Sequence, residues 1–476
     1  MDTWVLSDLH LAVNQPESLY AGGEALPRWL ARLAAAGVPV RIVFNGDTFD
    51  FLSEEGELRL DAEAARASLL RATQHPLIHE SLRLLGEIMA SGGEVVVRLG
   101  NHDLELALPA VQSVLRQALQ QPADVATRLL IVHGDAPSYL RIGGLRVLVT
   151  HGEHDDPFNR IDYPRLLSAV HDPLQATQPF VYPAGSLLMR RIVAPIRQRY
   201  GLRFLDFLKP DFQGAALVAL AIAPEACREL FQKATWDIGW QLVGHTTADV
   251  SFAVDLNDEV DLGLYGRLLQ ADLSEDDQQE LGQWALASDS AQAFAAEALS
   301  SRLRSRLLQA GLSLYAHCHR WLAGRAGAAF FDTAPSKEEA SWAAQLAARH
   351  GCEVVLTGHT HAARFLDQPD VTYVNSGTWM WLLRLPAPTA PLAEWTAWLA
   401  ELRQNPSLDP ALQASVCPER RLSLIQVRPQ PEGGARICLL ECQEDGSLVE
   451  VCATTRSPAA DRGGSHVQRP STHLSK

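Results

Sequence analysis

No two cysteines of this chain form a CxxC pair. The seven that occur, Cys227, Cys318, Cys352, Cys417, Cys438, Cys442 and Cys452, are odd in number and irregular in spacing. That pattern suggests no disulfide framework, and free thiols in a reducing compartment are the plainest reading. Long apolar runs are missing too. The longest, Ala215 to Ala223, falls well short of the roughly 20 residues a bilayer span needs. The opening MDTWVLSDLHL has neither a basic n-region nor an apolar h-region, so no signal peptide is expected. Together these absences predict a soluble, cytoplasmic protein. Positive charge is in short supply, with 41 Lys and Arg against 56 Asp and Glu, a net charge of −15 and a pI near 5.5. Such a balance repels phosphate backbones and argues against nucleic acid as a partner. Gly and Pro are not in excess, and 47% of the 476 residues are hydrophobic. The bulk of the chain is therefore expected to fold, as one large domain or two ordinary ones.

The first third alternates β-rich apolar runs (Thr3–Leu6, Val40–Phe44, Glu94–Leu99, Leu129–Val132, Leu145–Thr150) with helical patterns (Glu24–Ala36, Ala62–Ala72, Leu77–Ala90, Ala110–Gln120). Strands alternating with helices of this length predict an α/β layered domain. From about Asn159 to Gln309 helical periodicity dominates. Regular α/β text then resumes with a helix over Lys337–Arg349 and strands at Glu353–Thr357 and Val371–Asn375. A closing antiparallel set follows at Leu422–Val427, Ile437–Glu441 and Leu448–Cys452. The expected division is a first α/β part over 1–158, a helical insertion or cap over 159–310, a second α/β part with C-terminal strands over 311–455, and a polar tail over 456–476. The composition of that tail predicts disorder.

Five short motifs stand behind apolar runs. Ser7-Asp8-Leu9-His10 places a carboxylate and an imidazole at i and i+2, on one side of an extended chain. Asn45-Gly46-Asp47-Thr48-Phe49-Asp50 puts an acid behind a glycine, where it can approach two cations as a bridging ligand. Gly100-Asn101-His102-Asp103 supplies a neutral carbonyl ligand and, in His102, a candidate proton donor. Thr150-His151-Gly152-Glu153-His154 supplies a strand-end imidazole. His133-Gly134-Asp135 is its rival, and His151 is preferred because the polar text HDDPFNRIDY follows it. Gly358-His359-Thr360-His361 supplies two imidazoles on one side. His245, and the pair His317 and His319, are weaker imitations of that last motif. Each motif taken alone also reads as a turn, a helix cap or a structural histidine. Their joint order is the signal, because ligands gather at the carboxyl ends of strands in α/β sheets.

This ordered set resembles the calcineurin-like metallophosphoesterase superfamily, over Met1 to about Asp156 and again over Glu353 to about Trp379. The resemblance implies a layered β-sandwich flanked by helices, here with a large, mostly helical insertion. It implies two divalent metal ions, and the carboxylate and imidazole donors suit Mn foremost, with Fe or Zn as alternatives. One ion would take Asp8, His10, Asp47 and His361, and the other Asp47, Asn101, His151 and His359. By the same resemblance His102 and Asp50 are the catalytic pair, with His102 near the leaving group. A metal-bridging hydroxide would hydrolyse a phosphomonoester or phosphodiester. Glu153 stands where H-G-D is common in relatives.

The motifs are also similar to those of UDP-2,3-diacylglucosamine diphosphatases. A second feature points the same way: Leu188, Met189, Ile192, Val193 and Ile196 make an apolar stripe flanked by Arg190, Arg191, Arg197 and Arg199. A basic amphipathic helix within 185–210 suits peripheral membrane or lipid contact, and equally a cap helix that buries its stripe. A non-catalytic scaffold on the same fold is the remaining alternative, against which all seven ligand positions being filled argues.

Overall fold

Strands covered on both faces read as near-continuous apolar runs, and the first of these begins at the second residue. The computed structural model describes residues 1–12, 19–53, 58–134, 136–156, 159–171, 180–190, 194, 331–383, 392–405 and 418–458. Its elements run β1 (Asp2–Leu6), β2 (Leu11–Ala12), α1 (Ala25–Ala36), β3 (Val40–Asn45), β4 (Phe49–Asp50), α2 (Ala62–Gln74), α3 (Pro76–Ala90), β5 (Glu94–Arg98), α4 (Pro109–Ala118), α5 (Ala123–Ala126), β6 (Leu129–Val132), β7 (Ser138–Ile142), β8 (Leu145–Val149), α6 (Tyr163–His171) and α7 (Ala184–Leu188). They continue with α8 (Lys337–His350), β9 (Val354–Thr357), β10 (Ala363–Asp367), β11 (Thr372–Ser376), β12 (Trp381–Leu383), α9 (Leu392–Gln404), β13 (Pro418–Arg420), β14 (Ser423–Pro429), β15 (Ala435–Cys442) and β16 (Leu448–Arg456).

Two sheets dominate. One has seven strands in the order β16-β15-β14-β1-β3-β5-β6, the other five in the order β10-β11-β9-β8-β7. In the first, β1, β3, β5 and β6 are parallel, while β14, β15 and β16 run antiparallel. In the second, β8, β9 and β11 are parallel, with β7 and β10 as antiparallel edges.

The two-residue period of the strands decides the layers. Val5, Val43 and Val96 join Val147, Val149, Val354 and Leu356 in the core between the sheets. Their neighbours Trp4, Leu6, Ile42, Phe44, Val95 and Val97 face the opposite way, into a larger core shared with α1 to α4. On the other sheet Leu148 and Val355 turn outward to meet Ala343, Leu346 and Ala347 of α8. The result is a β-sandwich flanked by helices. Each fully buried Val, Leu or Ile contributes about 1.5–3 kcal/mol of hydrophobic stabilisation.

Local signals mark the helix ends. Asp61 accepts from the backbone N–H groups of Glu63 and Ala64 at the start of α2. Ser336 and Glu339 form a reciprocal capping box at the start of α8, which Gly351 closes in a left-handed conformation.

Arg456, expected to open the tail, is the last residue of β16, and its guanidinium donates to the carbonyls of Gln368 and Pro369. Residues expected to open the insertion pack into the main core: Ile161, Tyr163, Leu166, Tyr182 and Leu187 are all buried there. The apolar run Val250–Val254, the histidines at 245, 317 and 319, Cys227, Cys318 and Cys417, and the rest of the expected insertion lie outside the described residues. So does the tail after Pro458.

Candidate metal centre

Parallel strands release their chains at one end, so the loops after β1, β3 and β5 meet there, joined by those after β8 and β9. Backbone bonds lock the first two loops together: the N–H of Asp8 donates to the Gly46 carbonyl at 3.1 Å, and that of His10 to the Asp47 carbonyl at 3.0 Å. Such close loops demand unusual backbone. Among the described residues six non-glycines have a left-handed φ, and five of them are Asp8 (54°), His10 (49°), Asp47 (51°), His359 (70°) and His361 (59°). Non-glycine residues rarely hold this conformation, and where they do it clusters at functional sites. The motif glycines serve close approach. A Cβ on Gly46 (φ 91°) would collide with the His151 ring, and one on Gly100 with the Asp47 carboxylate.

The loops bring together two overlapping groups of potential ligands. Asp8, His10, Asp47 and His361 form one, and Asp47, His151 and His359 the other, with the ligand atoms of each group within 4.8 Å of one another. Asp47 belongs to both. Its Oδ2 lies 3.8 Å from His10 Nε2 and 3.4 Å from His151 Nε2, while its Oδ1 accepts the backbone N–H of His102 at 2.8 Å. His361 Nε2 lies 3.2 Å from Asp8 Oδ1. Asp8 Oδ2 is held away from that contact, accepting the N–H of His359 at 2.9 Å and the hydroxyl of Ser7.

Asn101 is buried at the edge of the second group. Its Nδ2 donates to Asn159 Oδ1 at 3.3 Å, whereas its Oδ1, also buried, accepts no hydrogen bond among the described residues. A buried carbonyl left in that state costs about 1–3 kcal/mol unless a partner is supplied. It fits a place for a cation, as do the hard oxygen and imidazole donors around it.

His151 and its rival His133 separate clearly. His151 Nδ1 donates to the Asn45 carbonyl at 2.7 Å, which leaves Nε2 toward Asp47. His133 is only half-buried, its Nδ1 lies 3.3 Å from the Ile131 carbonyl, and its ring faces His171. His102 Nδ1 donates to Asp50 Oδ1 at 3.1 Å. A carboxylate only accepts, so this bond sets the His102 tautomer and leaves Nε2 for other work. With His10, His102 and Asp50 form a third compact group.

The electrostatics follow from burying acids among imidazoles. Burial alone would raise the Asp47 pKa, but His151, His102 and His10 outweigh it and hold the carboxyl well below its ordinary value. Burial likewise disfavours a charged His151, yet Asp47, Asp8 and Glu153 push that imidazole up to about 10. Asp103 goes the other way. Burial and the neighbouring charge of Asp47 push it up to about 8, while it accepts the N–H groups of Gly100 at 2.6 Å and Thr48 at 2.7 Å.

Several residues around the site were given no role by the motifs. Glu153 is buried, accepts the Tyr163 hydroxyl at 2.8 Å and pairs with His154 at 3.0 Å. Burial works against its charge, but His154, His151 and Tyr163 outweigh it and hold it at about 2. Asp156 reaches His359 Nε2 at 2.9 Å. The segment 180–190 lies across the loops: Ser186 donates to the Asn101 carbonyl at 3.2 Å, and Tyr182 to Glu105 Oε1 at 2.7 Å. Arg190 is buried, and its Nη1 lies 3.4 and 3.2 Å from the carbonyls of Phe51 and Leu52. Of the basic flank noticed in the sequence, Arg190 therefore faces protein, while Arg191, Arg197 and Arg199 lie outside the described residues. Only the three-dimensional contact gives these residues their partners, although Glu153 and His154 stand in the fourth motif, Arg190 in the basic flank, and Asp156 and Asn159 in the polar run after His151.

Glu105 gives a measurable consequence. Burial pushes its carboxyl from the ordinary 4.5 up to about 7. A raised folded-state pKa means that its stability contribution is complete below about pH 4.5 and lost as pH rises through about 7. At about 1.4 kcal/mol per unit the loss approaches about 3 kcal/mol. Glu105→Gln keeps the acceptor for Tyr182 and cannot ionise. It is expected to match the parent near pH 4.5 and to exceed its stability by about 3 kcal/mol above about pH 8. Urea unfolding at pH 4.5, 7 and 9 checks this; a pH-independent difference would refute it.

A sandwich with strand-end loops converging on a carboxylate–imidazole centre provides a site that could hold metal ions. Residues 1–204 match the family model of the calcineurin-like phosphoesterases. Over these residues, less than half of the chain, the sequence is thus similar to the calcineurin-like phosphoesterases, a family that implies metal-dependent phosphoester hydrolysis. The match ends before Gly358–His361, which the fold returns to the same centre. No curated protein matches the chain. Among the described residues no helix is long and apolar enough to cross a membrane.

Proposed function

We propose that the chain hydrolyses a phosphomonoester or phosphodiester with two divalent cations. Asp8, His10, Asp47 and His361 would hold one, and Asp47, Asn101, His151 and His359 the other. The observation that carries this reading is the pair of ligand groups sharing Asp47, with the His102–Asp50 pair against them. When bound, the cations supply Lewis acidity, lowering the pKa of water and neutralising charge on phosphoryl oxygens.

The chain's own residues do the rest. Asn45 and Asp156 orient the imidazoles of His151 and His359 through their other ring nitrogens. Asp50 holds the Nδ1 proton of His102, so that Nε2 can deliver a proton to the departing oxygen. The carboxylate, imidazole and amide donors suit Mn first, with Fe or Zn as alternatives. The raised His151 pKa means that cation binding at neutral pH displaces a proton.

The test combines metal analysis with a hydrolysis panel in Mn²⁺: a phosphomonoester, a phosphodiester and a nucleotide-sugar lipid. About two ions per chain and turnover of at least one ester are expected. Cleavage of the nucleotide-sugar lipid alone would favour the lipid-linked diphosphatase reading. Fewer than one ion per chain and no turnover would establish the scaffold reading instead.

A further inference from the structure

The proposed second cation site has an uneven ligand set. His151 is held by a backbone carbonyl, but His359 and Asn101 are side chains whose useful atoms depend on orientation. An amide can present oxygen or NH₂, and a neutral imidazole carries its single proton on either nitrogen. Both choices are made by the same short loop. Asp156 Oδ2 accepts from His359 Nε2 at 2.9 Å and from Asn159 Nδ2 at 2.7 Å. Asn159 Oδ1 in turn accepts from Asn101 Nδ2 at 3.3 Å. The loop is itself closed by the N–H of Asn159 donating to the Asp156 carbonyl at 3.1 Å, and that of Asp156 to the Glu153 carbonyl at 3.1 Å.

The directions of these bonds leave no freedom. A carboxylate only accepts, so His359 carries its proton on Nε2 and keeps the Nδ1 lone pair for a cation. Because Asp156 takes the Asn159 NH₂, Asn159 must offer its oxygen to Asn101. Asn101 must then answer with NH₂, which turns its own oxygen, buried without a hydrogen-bond partner among the described residues, away from Asn159. One carboxylate thereby sets the tautomer of one ligand and, through an amide, the flip of another.

We infer that Asp156 and Asn159 are positioning residues, an orienting relay that prepares His359 and Asn101 for the same cation. The inference rests on the two-cation reading above. Outer-shell partners of this kind are worth about 10–100-fold in metal affinity.

The experiment is Mn²⁺ titration by calorimetry of the chelator-treated full chain, alongside its metal-free melting temperature. The parent and the variants Asp156→Ala, Asp156→Asn and Asn159→Ala are compared. Asp156→Ala and Asn159→Ala should weaken one of two ions by about 10–100-fold and leave the other within about twofold. Asp156→Asn, whose oxygen still accepts from His359, should recover most of the loss. The double variant should be no weaker than Asp156→Ala alone, because both act through one chain of bonds.

Unchanged affinity in both alanine variants overturns the relay while leaving the two-cation reading intact. So does an Asp156→Asn variant as weak as Asp156→Ala, which would make Asp156 a direct charged ligand. A parent that binds no Mn²⁺ overturns both readings together. If Asp156→Ala fails to fold, as its melting curve would reveal, Asn159→Ala decides the matter by the same criterion.

Discussion

Asp47→Asn is expected to lower the proposed phosphoester hydrolysis by at least about 10³-fold, or about 4 kcal/mol in the barrier, and to leave no more than one tightly held ion per chain. The size of the effect follows from the shared position of Asp47. Its Oδ2 lies 3.4 Å from His151 Nε2 and 3.8 Å from His10 Nε2, in both ligand groups, and its Oδ1 accepts the His102 N–H at 2.8 Å. An amide cannot serve both ends. With its NH₂ toward the cluster it presents hydrogens where cations belong. With its NH₂ toward His102 it opposes a backbone donor inside the core, leaving a buried group unpaired at about 1–3 kcal/mol. The charge that holds His151 protonated in the metal-free protein is lost in either orientation. Metal analysis and turnover on the same preparation check the result. Full metal content with full activity would remove Asp47 from its proposed role and the two-cation reading with it.

His102→Ala is expected to lower kcat by about 10²–10⁴-fold while both ions stay bound. The distinguishing feature is its dependence on the leaving group. If His102 Nε2 delivers a proton to the departing oxygen, an alkoxide needs that proton far more than a nitrophenolate does. The loss should therefore sit at the upper end for an alkyl ester and near the lower end for a nitrophenyl ester. Asp50→Asn weakens the hold on the Nδ1 proton without removing the imidazole, and should show the same pattern at smaller amplitude. An equal loss on both esters, or loss of metal on removing His102, would show that the residue shapes the site rather than moving a proton.

The central strands of the fold were legible in the chain because burial on both faces leaves short continuous apolar runs. Val5 between Trp4 and Leu6, Val43 between Ile42 and Phe44, and Val96 between Val95 and Val97 are apolar on both sides, as strands covered on two faces must be. The edge strands were harder. β10 reads ARFLD, with Arg364 held by Glu339 at 3.3 Å and by the Asp332 carbonyl, and so gives no apolar run. Candidate ligands could be picked out because strand-end acids and imidazoles stood behind glycines in a recognisable order. His133 and His151 could not be separated on that ground alone. Both follow apolar strands and precede Gly, and only the return of the second sheet beneath β3 sets one of them against Asn45.

The sequence by itself determined the central buried strands, which residue types stand at their ends and which chemistry those types can support. Local period and local turn chemistry are properties of adjacent residues. What only the tertiary structure decided is which oxygens and nitrogens face one another. Asp47 between His10 and His151, Asp156 bonded to His359 across the chain, Glu105 buried beneath Tyr182 and Arg190 against the Phe51 and Leu52 carbonyls are all meetings between residues far apart in the chain. The physical reason is that hydrogen bonding, burial and charge coupling depend on distance and direction in space, which no spacing along the chain encodes for residues brought together by the packing of two sheets.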